Sequence, residues 1–391
     1  MSDLLAPGVE MPPTIPLVTA GATATVLVLH VVNGEHYSGA ERVQDLLAQE
    51  LPALGFEVGF ACLKPGRFPE ARRSKLAALY ECPMRGPIDL SCVKRLAELI
   101  RTENYALVHA HTPRSVFVGS LAAERAGVPL VYHVHSPTAR DSTRRLRNFL
   151  NAKLERWSLR HAARLIAVSP SLRKLMCDEG FDTGRVVYVP NGVPPLAVSP
   201  RSRPTGGWTL GIAALFRPRK GVEVLLEALA ALRSRGLDVR LRAIGPFETP
   251  EYEAEVKSLV GNLGVDKAIT WTGFVSDVAA ELARIDLFVL PSLFGEGLPM
   301  VVLESMAAGV PVVASRVEGT PEAICHGENG LLCEPASVSQ LASAIEELVT
   351  GQNDLDYAAL SRSAQRRHAE CFSARSMAAG VAQVYRAVLN L

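Results

Sequence analysis

The stretch 292-SLFGEGLPMVVLESMAAG-309 follows the apolar run LFVLPS, turns on Gly295 and Gly297, and opens a helical pattern. Strand, glycine turn and helix start together make an anion site, because the first backbone N–H groups of a helix have no partner inside it. The dinucleotide pattern G-x-G-x-x-G/A is only half met, since Met300 stands at its third position. The carboxylates are more informative: seven residues separate Glu296 from Glu304. Pro299 is expected at the first helical position, where its missing N–H costs nothing. That puts Glu296 at the helix entrance and Glu304 about one turn in, near the positive end of the helix dipole. Two such acceptors can hold sugar hydroxyls while the backbone holds phosphate. They can equally be one cap-like acid and one solvated acid, and the stretch alone leaves both readings open.

The same unit recurs along the chain. Short β-branched runs (25–32, 58–63, 107–112, 130–136, 164–169 and 185–190) alternate with segments of three-to-four-residue apolar spacing. The runs are too short for helices and apolar on both faces, as in a parallel sheet covered on both sides. The Pro- and Gly-rich segment 191–207 breaks the rhythm and reads as a linker. The alternation then resumes, with helices expected at 222–235, 251–263, 277–285, 299–308 and 338–349. The expected fold class is α/β: two doubly wound, Rossmann-like domains facing each other across a ligand cleft. The expected organisation is a leader over 1–24, domains over 25–195 and 196–371, and a C-terminal amphipathic helix over 372–391.

Composition narrows the function classes. A hydrophobic share of 48% against 21% charged residues supplies large cores and excludes disorder. The 41 basic and 40 acidic side chains leave no global steering toward nucleic acid, so any anion recognition must be local. Seven scattered cysteines with no C-x-x-C spacing suit a reducing compartment rather than a disulfide framework or a zinc knuckle. The first residues lack the basic start and unbroken apolar stretch of an export signal, so a cytoplasmic location is expected.

Three further features bear on chemistry. The segment 216-FRPRKGVEVLLEALAAL-232 puts Arg217, Arg219 and Lys220 at a strand-to-helix turn, where cations can neutralise a leaving diphosphate or simply face solvent. His109, His111, His133 and His135 lie on two expected strands, with each pair two apart and so on one face. The segment 139–165 carries six arginines and a lysine before Arg164, with Leu146, Phe149, Leu150, Leu154 and Trp157 at helical spacing. Such a helix can dock peripherally on an anionic membrane or grip a polyprenyl-diphosphate acceptor, or it can be an ordinary helix with solvated arginines.

Glu296-x7-Glu304 within FGEGLPMVVLESMAAGVPVVAS, the upstream RKGVEVLLEA, PNGV (190–193) and GTPEAICHGENGLLCEP (319–335) together resemble the GT-B retaining glycosyltransferases of family 4. SGAERV, LVHAHTPRSVFVGSLAAERAGVPLVYHVHS and ARLIAVSPSLRKLM extend the resemblance to nearly everything beyond residue 25. It implies a metal-independent enzyme that moves a sugar, with retention, from a nucleotide-diphosphate sugar (UDP- or GDP-linked) to a carbohydrate or lipid-linked hydroxyl acceptor. It implies no cofactor and no metal. Glu304 is then expected on the ribose hydroxyls, Glu296 near the donor sugar, and the backbone of Gly297 and Leu298 at sugar and phosphate. Lys220 is expected on the diphosphate, Gly39 where the backbone approaches that diphosphate, and Phe274 and Val275 in the loop that reads the base. His135 is expected near the reacting sugar, and the other histidines as packed or hydrogen-bonding residues rather than a metal cluster.

The family's arginine five residues before the lysine is here Leu215, and Arg217 is the expected substitute. The glycine pair before Ala40 is reduced to Ser38-Gly39. Relatives send the C-terminal helix back across the linker onto the first domain. The rival readings are a GT-B sugar-nucleotide epimerase, which needs no acceptor, and a two-domain sugar-binding protein without catalysis.

Overall fold

A computed structural model describes residues 25–86, 89–136, 156–352 and 355–391. The expected leader 1–24 and most of the basic segment 139–165 lie outside them; of its apolar stripe only Trp157 is described, half-exposed against Phe117. The chain divides into two compact units, and Gly192/Val193 and Ser373/Ala374 are the boundaries between them.

The first unit is built on a seven-strand parallel sheet, β1 (Val26–Val32), β2 (Phe56–Cys62), β3 (Leu79–Glu81), β4 (Leu107–Ala110), β5 (Leu130–Val134), β6 (Arg164–Ala167) and β7 (Val186–Tyr188). Their order across the sheet is β3-β2-β1-β4-β5-β6-β7. Every residue of β4 and β5 is buried, which is why these strands read as continuous apolar runs rather than alternating ones. Sequence periodicity gives no sign of β3: it is a three-residue edge strand, half-buried and exposed, with no apolar run to betray it. Helix N-caps follow their sequence signals. Asp89 accepts from the N–H groups of Ser91 and Cys92 at 2.9 and 3.1 Å, and Thr112 from that of Ser115.

This unit also holds the C-terminal helix Ala374–Leu389. Fully buried Tyr385 carries its hydroxyl to His30 Nε2 at 2.9 Å and to His109 Nδ1 at 2.6 Å. Arg386 donates to the Leu54 carbonyl at 2.8 Å.

The second unit has a six-strand parallel sheet, β8 (Trp208–Ala213), β9 (Val239–Ile244), β10 (Ile269–Gly273), β11 (Leu287–Leu290), β12 (Val312–Ser315) and β13 (Gly330–Cys333), in the order β10-β9-β8-β11-β12-β13. β8 is flanked by β9 and β11, and the connections switch direction there, so the loops that follow β8 and β11 leave the sheet side by side. The segment 191–207, expected as a linker, starts at the boundary between the units and is anchored at several points. Val193 donates to the Phe372 carbonyl at 2.9 Å, Arg201 reaches the Ile285 and Leu282 carbonyls at 2.7 and 2.9 Å, and Arg203 reaches Leu348 O at 2.8 Å. The Arg203 contact and that to Leu282 neutralise the carbonyl ends of helices, which explains why a Pro- and Arg-rich segment stays pinned to its own unit. Among the described residues no helix is long and apolar enough to cross a membrane.

Candidate functional site

The loop after β8 forms a short helical turn, Pro218–Lys220, and Gly221 then starts the helix Val222–Ser234. Gly221 has φ +62°, and a Cβ there would stand 2.1 Å from the Pro291 carbonyl oxygen. The two loops therefore meet backbone to backbone, and Leu293 N–H donates to the Arg219 carbonyl at 2.8 Å. Gly221→Ala is expected to cost on the order of 2 kcal/mol or more, since both the left-handed backbone and a fixed carbonyl oppose it. A denaturant midpoint unchanged from the parent would contradict this seating.

The contact brings charges together. Lys220 Nζ donates to Glu296 Oε1, Ser292 Oγ donates to the same oxygen at 2.6 Å, and an Arg219 guanidinium nitrogen stands 3.9 Å from it. Arg219 also donates to the Gly295 carbonyl at 3.0 Å, tying down the glycine turn. Burial lowers the Lys220 ammonium below its ordinary range, and the attraction of Glu296 restores only part of the drop. For Glu296, burial alone would raise the carboxyl, but the Lys220 and Arg219 charges outweigh it and hold the group below the usual carboxylate range. The pair's low exposure, 15% and 7% for the two side chains, makes loss of either partner costly.

Glu318 completes the turn. Its Oε2 accepts from the N–H groups of Gly295 and Glu296 at 2.9 and 3.2 Å, while its own backbone sits at φ +30° after β12. Sequence reading missed it and Ser292. The usable signal was position: an acid just past a buried strand, at the sheet edge where the glycine turn also lies.

The other expected residues divide clearly. Gly297 and Leu298 are buried in the turn, and Glu304 is the fifth residue of the helix Met300–Ala307, half-buried. Pro299 is the N-cap residue rather than the first helical one, since its extended backbone (ψ 116°) lies outside the helix. Arg217 points elsewhere: its guanidinium is 3.6 Å from Glu248, and Arg219 is the arginine that reaches Glu296. Arg217 has extended backbone before the turn, whereas Arg219 and Lys220 lie within it. Phe274 and Val275 follow β10, an edge strand two places from β8, with Phe274 exposed. Gly39 and His135 belong to the first unit. A Cβ added to Gly39 would meet no atom within 4 Å, so packing does not demand glycine there.

His135 is part of a larger group. His30 on β1 faces His109 on β4 in register, and His111, His133 and His135 continue the row, giving ring-centroid separations of 4.2 to 5.5 Å. His30 is missing from the sequence reading because a lone histidine in VLVLHVV carries no spacing signal; only the strand register reveals it. Burial pushes His30 and His135 down to about 3, and burial plus neighbouring imidazoles pushes His109, His111 and His133 well below 6.5. Depressed values stabilise the fold above pH 6.5, and that stability is lost as pH falls toward 3. Each such imidazole contributes about 1.4 kcal/mol per pH unit within the window. Urea unfolding at pH 6.5 and 5 should show a steep loss; equal stabilities would contradict neutral burial of the cluster.

Anabaena Alr3699/HepE, solved in complex with UDP-glucose, superposes with a TM-score of 0.80 at 22% identity, covering 92% of this chain and 99% of that one. The fold is thus that of the GT-B glycosyltransferases. Residues 208–351 match Glycosyl transferases group 1, and 37–195 match Glycosyltransferase Family 4. The MMP alpha-(1->4)-mannosyltransferase of Mycolicibacterium hassiacum is 30% identical over 293 residues, 70% of this chain and 69% of that protein. The UDP-Gal:alpha-D-GlcNAc-diphosphoundecaprenol alpha-1,3-galactosyltransferase of Escherichia coli is 25% identical, over 82% of this chain and 87% of that protein. The chain belongs to glycosyltransferase family 4 and is a glycosyltransferase.

Proposed function

We propose that the chain transfers a hexose from a UDP- or GDP-linked sugar to a hydroxyl acceptor, with retention at the anomeric carbon and without metal. The observation that carries this reading is the joined loops after β8 and β11, where Lys220 and Arg219 meet a glycine turn that opens a helix. As the glycosidic bond to the donor breaks, negative charge grows on the diphosphate, and preorganised cations and backbone N–H groups are what that charge requires. Lys220 supplies the cation, with Arg219 rather than the expected Arg217 beside it. Glu296, held by Ser292 and Lys220, is engaged at Oε1 and serves to position the sugar rather than to attack it. The backbone of Gly297 and Leu298 faces sugar and phosphate, Glu304 takes the ribose hydroxyls, and Phe274 and Val275 border the base.

A nucleotide-sugar donor is supported by the ligand of Alr3699/HepE and by the name of the E. coli relative, which also supports a lipid-linked or carbohydrate acceptor in surface-polysaccharide or glycolipid synthesis. A cytoplasmic enzyme working at the inner membrane face accords with the basic segment 139–165. The test is nucleoside diphosphate release from a panel of UDP-, GDP- and ADP-sugars, with and without acceptor, plus the anomeric configuration of the product. Acceptor-dependent release and a retained anomer are expected. Conversion of the donor without acceptor would point instead to an epimerase, and an inverted product would remove the retaining mechanism.

A further inference from the structure

The histidine cluster contains more ring nitrogens than the described residues have partners for. Tyr385 has one hydroxyl proton but touches both His30 Nε2 and His109 Nδ1, so one ring must donate to it and the other accept. The accepting ring then carries its proton on its other nitrogen, and both of those, His30 Nδ1 and His109 Nε2, are buried without a partner. Nearer the carboxyl edge of the sheet, His111 Nδ1 faces His135 Nε2 at 2.9 Å, while His111 Nε2 and both nitrogens of His133 are buried and unpartnered. Whichever tautomer His133 adopts, it buries an N–H that no acceptor among the described residues meets, which a native core rarely tolerates. The ring's other nitrogen, a lone-pair acceptor, is equally buried without a donor, and a metal ion bound there supplies its partner.

We propose that His111, His133 and His135 form a binding site for one divalent transition cation, with zinc the best match. One ring nitrogen from each lies within 4.8 Å of the others, so small side-chain rotations bring them to a common ion. Three imidazoles and no carboxylate select zinc-like cations over magnesium or calcium, which take oxygen ligands. The edge triad is favoured over His30, His109 and His111 because His135 is half-buried and gives an entry path, whereas the inner rings are fully enclosed and spend a nitrogen each on Tyr385. The cation braces β4 against β5. No step of sugar transfer is assigned to it, and the site does not depend on the function proposed above.

The experiment titrates the chelator-stripped full chain with zinc and, separately, with cobalt(II). One equivalent of zinc should remain bound through gel filtration, raise the thermal midpoint, and be mirrored by the visible absorption of a four-coordinate cobalt centre. His133→Asn should weaken uptake at least about tenfold, while exposed His36→Asn leaves it unchanged. Wild-type protein that neither retains zinc nor gains stability from it overturns the proposal, whatever the variants do. Uptake lost in His30→Asn but kept in His133→Asn overturns the assignment to the edge triad.

Discussion

Lys220→Ala is expected to slow sugar transfer at least tens-fold. A charge-assisted contact to a leaving diphosphate is worth about 1.5 to 3 kcal/mol, and each 1.4 kcal/mol is tenfold in rate. The same change leaves Glu296 buried with Ser292 as its remaining close donor and Arg219 at 3.9 Å, so stability should also fall, by about 3 kcal/mol. The two effects separate in the double variant Lys220→Ala/Glu296→Gln, which removes both charges. Stability should return toward that of the parent while transfer stays slow. If the double variant regained normal turnover, Lys220 would be a structural partner of Glu296 and nothing more.

Glu304→Gln is the second large effect. Glutamine keeps the shape of the side chain and loses the charge, so the helix Met300–Ala307 should persist while hydrogen bonds to a ribose weaken. Nucleotide affinity should drop on the order of tenfold or more, as expected for a hydrogen bond to a charged acceptor. Because ribose is present in ground state and transition state alike, the loss should appear mainly in KM rather than in kcat. Unchanged donor affinity would remove Glu304 from the nucleotide site.

The fold was legible where burial leaves a pattern. Strands β4, β5, β11 and β12 are buried along their whole length, and their short, mostly apolar runs suit strands covered on both faces. The edge strand β3 was not legible, because a strand paired on one side needs no apolar run. In the site, Lys220 and Glu296 could be picked out singly from motif and turn, but not as an ion pair. Their contact depends on the Gly221–Pro291 approach, which joins loops seventy residues apart. Arg217 and Arg219 are indistinguishable in sequence, and only the turn decides which one faces Glu296. The histidines show the same limit: spacing pairs 109 with 111 and 133 with 135, while the β1–β4 and β4–β5 registers assemble all five.

The central claim is that the loops after β8 and β11 bind a nucleoside diphosphate through Lys220. Calorimetric titration of the full chain with UDP, GDP and ADP, repeated on Lys220→Ala, tests it most directly. One of the three should bind the parent in the micromolar range, and far more weakly once the lysine is gone. Failure of the folded parent to bind any of them, or equal affinity in both proteins, would contradict the account.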